Sequence, residues 1–151
     1  MASNYYLSET YLLKGATLGD IDAIDVVCET RDLAPDETLV KVGEASQDIM
    51  IILEGRVKVV SASGQEIGEF RQGNLIGEIA FLDKKPRTAS LIATNPCKVL
   101  IIPADRLRQL TLERPGLAAV LYRNIAMALC DRLRLANEQI DTAHLDETAP
   151  A

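Results

Sequence analysis

Two short β-branched runs, Ile49-Met50-Ile51-Ile52-Leu53 and Val57-Lys58-Val59-Val60-Ser61, meet at Glu54-Gly55. Each run is too short for a typical helix, and the glycine between them supplies a tight turn, so the pair predicts two short strands separated by a turn. The same texture continues outward on both sides, in Thr38 to Val42, Glu66 to Phe70, Thr88 to Ala93 and Lys98 to Ile102. Turn residues separate these runs at Gly43, Ser63-Gly64, Gln72-Gly73 and Asn95-Pro96. Six of the nine glycines fall between Gly43 and Gly77, which suits a chain that turns repeatedly. Short strands recurring at about 8 to 12 residues predict an antiparallel β-roll (jelly roll), not a parallel α/β sheet.

Helical patterning flanks this central zone. Before it, from about Tyr6 to Glu29, Leu18, Ile21, Ile24 and Val27 keep a helical spacing. After it, a short helix is predicted over Ala104 to Glu113, ending at Arg114-Pro115-Gly116, and a long one over Leu117 to Ile140. The long helix carries two adjacent apolar stripes. One comprises Ala119, Tyr122, Ala126, Leu129, Leu133, Ala136 and Ile140, with the 3-4 spacing that a partner helix can use. The other comprises Leu117, Leu121, Ala128 and Leu135. A surface helix needs only one stripe for its own core, so the second predicts a homodimer through the C-terminal helix; one wide buried face is the alternative. The expected fold is therefore mainly β with flanking helices, a β-roll followed by a short and a long C-terminal helix. Residues 1–141 are expected to form one domain and residues 142–151 a disordered tail.

At 151 residues, with 48% hydrophobic and 25% charged side chains, the chain is large enough for one domain with a real core. Its net charge of −6 argues against a nucleic-acid surface, which needs clustered positive charge, but leaves room for one anionic small ligand held by a well-placed arginine. Cys28, Cys97 and Cys130 are odd in number and far apart, so neither a zinc site nor a disulfide framework is predicted. The first residues lack a basic start followed by an apolar core, and no apolar run is long enough to span a bilayer. A soluble cytoplasmic protein without metal or cofactor is expected.

The chemistry concentrates in residues 76–90, Ile76-Gly77-Glu78-Ile79-Ala80-Phe81-Leu82-Asp83-Lys84-Lys85-Pro86-Arg87-Thr88-Ala89-Ser90. Gly77 permits close approach of backbone to a ligand. Ile79 to Leu82 can form one helical turn whose N–H groups point at an anion. Arg87 offers a planar fork of donors suited to phosphate, supplemented by the backbone N–H groups of Thr88 and Ala89. Glu78 has the wrong charge for phosphate but can accept from a hydroxyl. A phosphate with a free sugar hydroxyl on its other side would satisfy both side chains; a simple Glu78–Arg87 ion pair is the alternative.

Gly77-Glu78-Ile79-Ala80 followed by Arg87-Thr88-Ala89 resembles the phosphate-binding cassette of the cyclic nucleotide-binding domain family, which includes the catabolite activator protein and the regulatory subunits of cAMP-dependent kinase. The turn Val42-Gly43-Glu44, the stretch Ile51 to Val57 and Phe70-x-x-Gly73 also sit where that family has turn glycines and roll strands, so the resemblance covers roughly residues 15 to 140. It implies that Glu78 binds the ribose 2′-hydroxyl and Arg87 the equatorial phosphate oxygen, with Gly77, Ile79, Ala80, Thr88 and Ala89 closing around phosphate and sugar. It places Val59 and Ile67 beside the base. The cassette departs from the family in opening Leu75-Ile76-Gly77 where Phe-Gly is common. No aromatic residue in the last helix stands out as a cap over the base; Arg132, between the two apolar stripes, is the candidate.

The resemblance implies a sensor whose cyclic nucleotide repositions the C-terminal helices. Thr88 does not separate cAMP from cGMP, and cAMP is expected first on prior alone. About ten residues follow Ile140, too few for the helix-turn-helix of the catabolite activator branch, so no nucleic-acid partner is expected and the signal must pass to an unknown downstream protein. A metal-dependent β-roll enzyme of the cupin kind would need two or three histidines, and His144 is the only one. The same shortage removes Ser-His-Asp and Cys-His catalysis, so the chain is not expected to be an enzyme. The remaining alternative is a ligand-free dimerisation or docking module that keeps the roll.

Overall fold

A computed structural model describes residues 2–148. Helix α1 (Ala2–Glu9), a 3-10 turn (Tyr11–Leu13) and α2 (Leu18–Val27) precede the sheet. Strands β1 (Glu29–Leu33), β2 (Thr38–Val40), β3 (Ile49–Glu54), β4 (Arg56–Ser61), β5 (Glu66–Arg71) and β6 (Leu75–Ile76) follow. Helix α3 (Glu78–Asp83) interrupts them before β7 (Ala89–Ala93) and β8 (Cys97–Ile102), and α4 (Ala104–Glu113) and α5 (Pro115–Thr148) close the chain. The strands form two antiparallel four-stranded sheets, ordered β1-β8-β3-β6 and β2-β7-β4-β5, which is the expected roll.

The uninterrupted apolar run in β3 has a structural cause. Successive side chains in a strand point to opposite faces. Ile49, Ile51 and Leu53 pack against the helices, while Met50 and Ile52 face the other sheet. β8 divides in the same way, with Leu100 and Ile102 toward the helices and Cys97 and Val99 into the roll. One sheet is thus buried on both sides, and two cores share it.

The helical layer is fastened by polar contacts as well as by Leu7, Leu12, Leu107, Leu117, Leu121 and Ile125. Asn124 of α5 is buried and donates to the carbonyls of Leu12 and Lys14, each at 2.9 Å, which fixes the 3-10 turn. Thr17 and Asp20 form a reciprocal cap at the start of α2. Asp20 also accepts from Arg114 at 3.0 Å, joining α2 to the break between α4 and α5. Burial opposes ionisation of Asp20, but the Arg114 guanidinium and the Thr17 donors outweigh it and hold the carboxyl below its ordinary range.

Three elements differ from the sequence expectation. β1 was not expected, because Glu29-Thr30-Arg31-Asp32 is almost wholly exposed on an edge beside β8 and has no apolar alternation to read. The two-residue β6 is too short to leave a pattern. The long helix does not stop at Ile140: α5 runs on to Thr148, through part of the segment expected to be a disordered tail. Nothing before Pro150 interrupts a helical backbone there, and Ala143, Leu145 and Glu147 are good helix formers. The last three residues of that expected tail lie outside the described residues. The break between α4 and α5 falls where it is predicted, with Pro115 in the first position of α5.

Only one of the two stripes on α5 is consumed by the body of the molecule. Leu117 and Leu121 are buried and Ala128 is half-buried, whereas Tyr122, Ala126, Leu133, Ala136 and Ile140 of the other stripe are exposed and Leu129 alone of the stripe's described large side chains packs partly on the core. Leu135, of the same stripe as Leu117 and Leu121, is exposed as well, as is every described residue from 130 to 143, although Arg132 reaches back to the roll.

Candidate functional site

A cavity of about 530 Å³ opens between α3, the β2-β7-β4-β5 sheet and α5. Its wall contains Gly77, Glu78, Ile79, Ala80, Arg87, Thr88, Ala89, Val59 and Arg132, nine of the ten residues singled out from the sequence. The loop from α3 to β7 brings Arg87 back over Glu78. Its backbone is locked by two hydrogen bonds to the Gly43-Glu44 turn: Gly43 N donates to the Arg87 carbonyl at 2.8 Å and Arg87 N to the Glu44 carbonyl at 2.9 Å.

Gly77 caps α3 with φ of +95°, a backbone conformation that side chains other than glycine rarely adopt. A Cβ at this position would lie 2.6 Å from the Asp48 carbonyl and 2.7 Å from Arg87 Nη1. The glycine therefore permits both the turn and the close seating of the guanidinium behind it.

The Arg87 side chain is 9% exposed. Nη2 donates to the Asp48 carbonyl at 2.7 Å and to Ser46 Oγ at 3.4 Å, while Nε is buried and finds no partner. Glu44, Asp48 and Glu78 favour the charged form electrostatically, but burial outweighs them and pulls the guanidinium below its ordinary value. Among the described residues none of them forms an ion pair with Arg87. Such a group is an unusual thing to bury: a desolvated cation with an idle donor, facing a cavity. It is chemically suited to an anion.

Glu78 does not pair with Arg87, so the simple ion-pair alternative is not what the chain adopts. Its carboxylate, 4% exposed, accepts instead from Arg132 Nη2 at 2.6 Å. Arg132, read as a cap over the base, thus reaches from α5 to the acid of the cassette. Tyr11, which the sequence reading passed over, stands beside this pair. Burial and then the negative Glu78 push its phenol up to about 12. Its contact joins residues 67 positions apart, and nothing local marks it.

Ile67 is the one site residue misplaced by the sequence reading. It is 61% exposed and absent from the cavity wall. Alternation along β5 explains this. Gly68 opposes Val59 and Phe70 opposes Val57 across the β4–β5 pair, so Gly68 and Phe70 share the inward face and Ile67 falls off it, at the bulge where the register shifts. Phe70, together with Val40 and Leu91, supplies the apolar end of the cavity in place of Ile67.

A β-roll that presents a buried carboxylate and a buried guanidinium to one largely apolar cavity is a small-ligand-binding domain. The chain belongs to the cyclic nucleotide-binding domain family, whose model matches residues 30–114, more than half of its length. Glutaminase 2 of Bradyrhizobium diazoefficiens is 28% identical over 136 residues, covering 90% of this chain and 22% of that protein. The cAMP-dependent protein kinase regulatory subunit of Colletotrichum orbiculare is 30% identical over 95 residues, covering 62% of this chain and 24% of that protein. The crystal structure of a cyclic nucleotide-binding protein from Geobacter metallireducens superposes with a TM-score of 0.74 at 25% identity, covering 88% of this chain and 99% of that one. The chain therefore spans less than a quarter of either curated relative. Among the described residues no helix is long and apolar enough to cross a membrane, and no cluster of three metal-ligating side chains occurs.

Proposed function

We propose that this chain is a regulatory sensor that binds a cyclic nucleotide, cAMP ahead of cGMP, and signals by moving its C-terminal helices without catalysing a reaction. The observation that carries the reading is Arg87, a buried guanidinium with an unpartnered Nε and no ion pair among the described residues, lining the same cavity as the Glu78 carboxylate. The cyclic phosphate would take the free donors of Arg87 and the N–H groups of Thr88 and Ala89. The ribose hydroxyl would donate to Glu78, with Gly77, Ile79 and Ala80 around it, and the base would lie against Val59 and Phe70. Arg132 already rests on Glu78, so a ribose engaging that acid would be felt on α5. Similarity to a cAMP-dependent kinase subunit supports the order of the two nucleotides. A glutaminase and a kinase regulatory subunit share this stretch over less than a quarter of their lengths, which supports a regulatory module and not a catalytic one. The acidic net charge supports a protein that works without touching nucleic acid, and its free thiols suit a reducing cytoplasm.

Thermal unfolding with each nucleotide tests the reading. At a hundred times Kd a ligand confined to the folded state adds about 2.7 kcal/mol. The melting temperature should rise with cAMP and less with cGMP at equal concentration. The opposite order would exchange the ligands. No rise with either would leave the docking module as the better account.

We also propose that the exposed stripe of α5 meets its counterpart in a second copy. Tyr122, Leu133 and Ile140 are exposed and recur at coiled-coil spacing on a helix that projects from the roll. Sedimentation should show a dimer at micromolar concentration. Leu133→Glu should weaken it at least tenfold, equivalent to about 1.4 kcal/mol. A wild type that sediments as a monomer throughout this range would overturn the proposal.

A further inference from the structure

Asp48 stands immediately before β3 and touches the nucleotide site and the C-terminal helices at once. Its carbonyl accepts from Arg87 Nη2 at 2.7 Å and occupies the space that a Cβ on residue 77 would need. Its carboxylate accepts from the Ala104 N–H at 2.8 Å, at the start of α4 and 56 positions away. The first N–H groups of a helix have no partner within it, and α4 begins after Pro103, whose side chain has no acceptor to offer. Asp48 fills that role from across the fold and places negative charge at the positive end of α4.

A second tie runs parallel to the first. One turn further along α4, Arg108 donates to the carbonyl of Phe81 in α3 at 2.9 Å and to the side-chain oxygen of Gln47, and it stacks 4.9 Å above the Phe81 ring. Gln47, Asp48 and the cassette helix are therefore all fastened to α4, and α4 packs on α5.

We propose that Asp48 is the positioning residue through which occupancy of the Arg87 site reaches α4. The inference rests on the sensor reading above. An anion engaging the idle donors of Arg87 draws on the guanidinium, and Nη2 holds the Asp48 carbonyl. The carboxylate of the same residue holds the first turn of α4, so a displacement on one side is imposed on the other. Coupling of this kind travels through contiguous hydrogen-bonded contacts, and here the path has one residue in its middle.

Hydrogen exchange of the peptide covering the first turn of α4, with and without saturating cAMP, reads this coupling. In the wild type cAMP should change exchange there by at least about threefold. Asp48→Asn, which keeps an acceptor, should retain the change. The double variant Asp48→Ala with Pro103→Ser gives α4 a local cap in place of the remote one. It should fold and bind cAMP but lose the change, which separates positioning from mere capping and covers the case in which Asp48→Ala alone does not fold. Persistence of the change in the double variant would show that Asp48 only caps α4 and would overturn the inference. So would a wild type that binds cAMP without any change at α4. A wild type whose melting temperature ignores cAMP would instead sink the sensor reading, and this inference with it.

Discussion

Arg87→Leu should weaken cAMP binding by about 10² to 10⁴ while leaving the unliganded protein close to its original stability. Each hydrogen bond to a charged group contributes about 1.5–3 kcal/mol, and the free donors of the fork provide two toward the phosphate, so about 3–6 kcal/mol of binding is at stake. The stability side has the opposite balance. The side chain is almost wholly buried, one of its nitrogens has no partner, and burial already disfavours its charge. Replacing a buried, poorly compensated charge by an apolar residue is often neutral or stabilising. The main loss in the unliganded protein is the hydrogen bond to the Asp48 carbonyl. Unfolding free energy should therefore change by no more than about 1 kcal/mol. Arg87→Lys, which keeps the charge without the fork, should fall between the wild type and the leucine variant. Calorimetric titration and thermal unfolding together read the result. An Arg87→Leu variant that binds cAMP with unchanged Kd would place the phosphate elsewhere in the cavity.

The sequence is most legible where one residue type serves one local purpose. Ile49 to Leu53 in β3 and Val99 to Ile102 in β8 are apolar without alternation because both faces of their sheet are covered, and strand length alone separates them from helices. The cassette is legible because Gly77-Glu78-Ile79-Ala80 and Arg87-Thr88-Ala89 match a family pattern in type, spacing and order at once; an acid and an arginine alone would read equally as an ion pair. Legibility fails where the meaning of a residue depends on a distant one. Glu29-Thr30-Arg31-Asp32 is a strand only because β8 offers it an edge. Ile67 and Phe70 are equally plausible wall residues until the pairing of β4 with β5 fixes which face is inward. Asp48, Arg108 and Tyr11 work through contacts at separations of 27 to 67 residues, and by local criteria they are ordinary polar side chains. Sequence reading therefore recovers residues that share the cavity wall and misses the ones that hold them in place.

Gly77 lies on the boundary between these two kinds of residue, and Gly77→Ala should damage both fold and binding. Two separate effects add. The first is the left-handed backbone, which costs a residue with a Cβ about 1–2 kcal/mol. The second is collision: the new methyl would sit 2.6 Å from the Asp48 carbonyl and 2.7 Å from Arg87 Nη1. The carbonyl belongs to backbone at the start of β3 and cannot swing away as a flexible side-chain end can. Gly73→Ala isolates the first effect, since Gly73 has a similar φ of +88° and open space where its Cβ would go. Gly73→Ala should therefore lower the unfolding free energy by about 1–2 kcal/mol and leave cAMP affinity nearly unchanged. Gly77→Ala should exceed it by about 1–3 kcal/mol, the usual range for forcing extra volume into a packed site. It should also weaken cAMP at least tenfold, because the group displaced is the phosphate-facing arginine or the carbonyl that anchors it. Equal losses of stability in the two variants, with binding intact in both, would mean that the wall behind Arg87 yields freely, and the rigid seat assigned to the guanidinium would have to be abandoned.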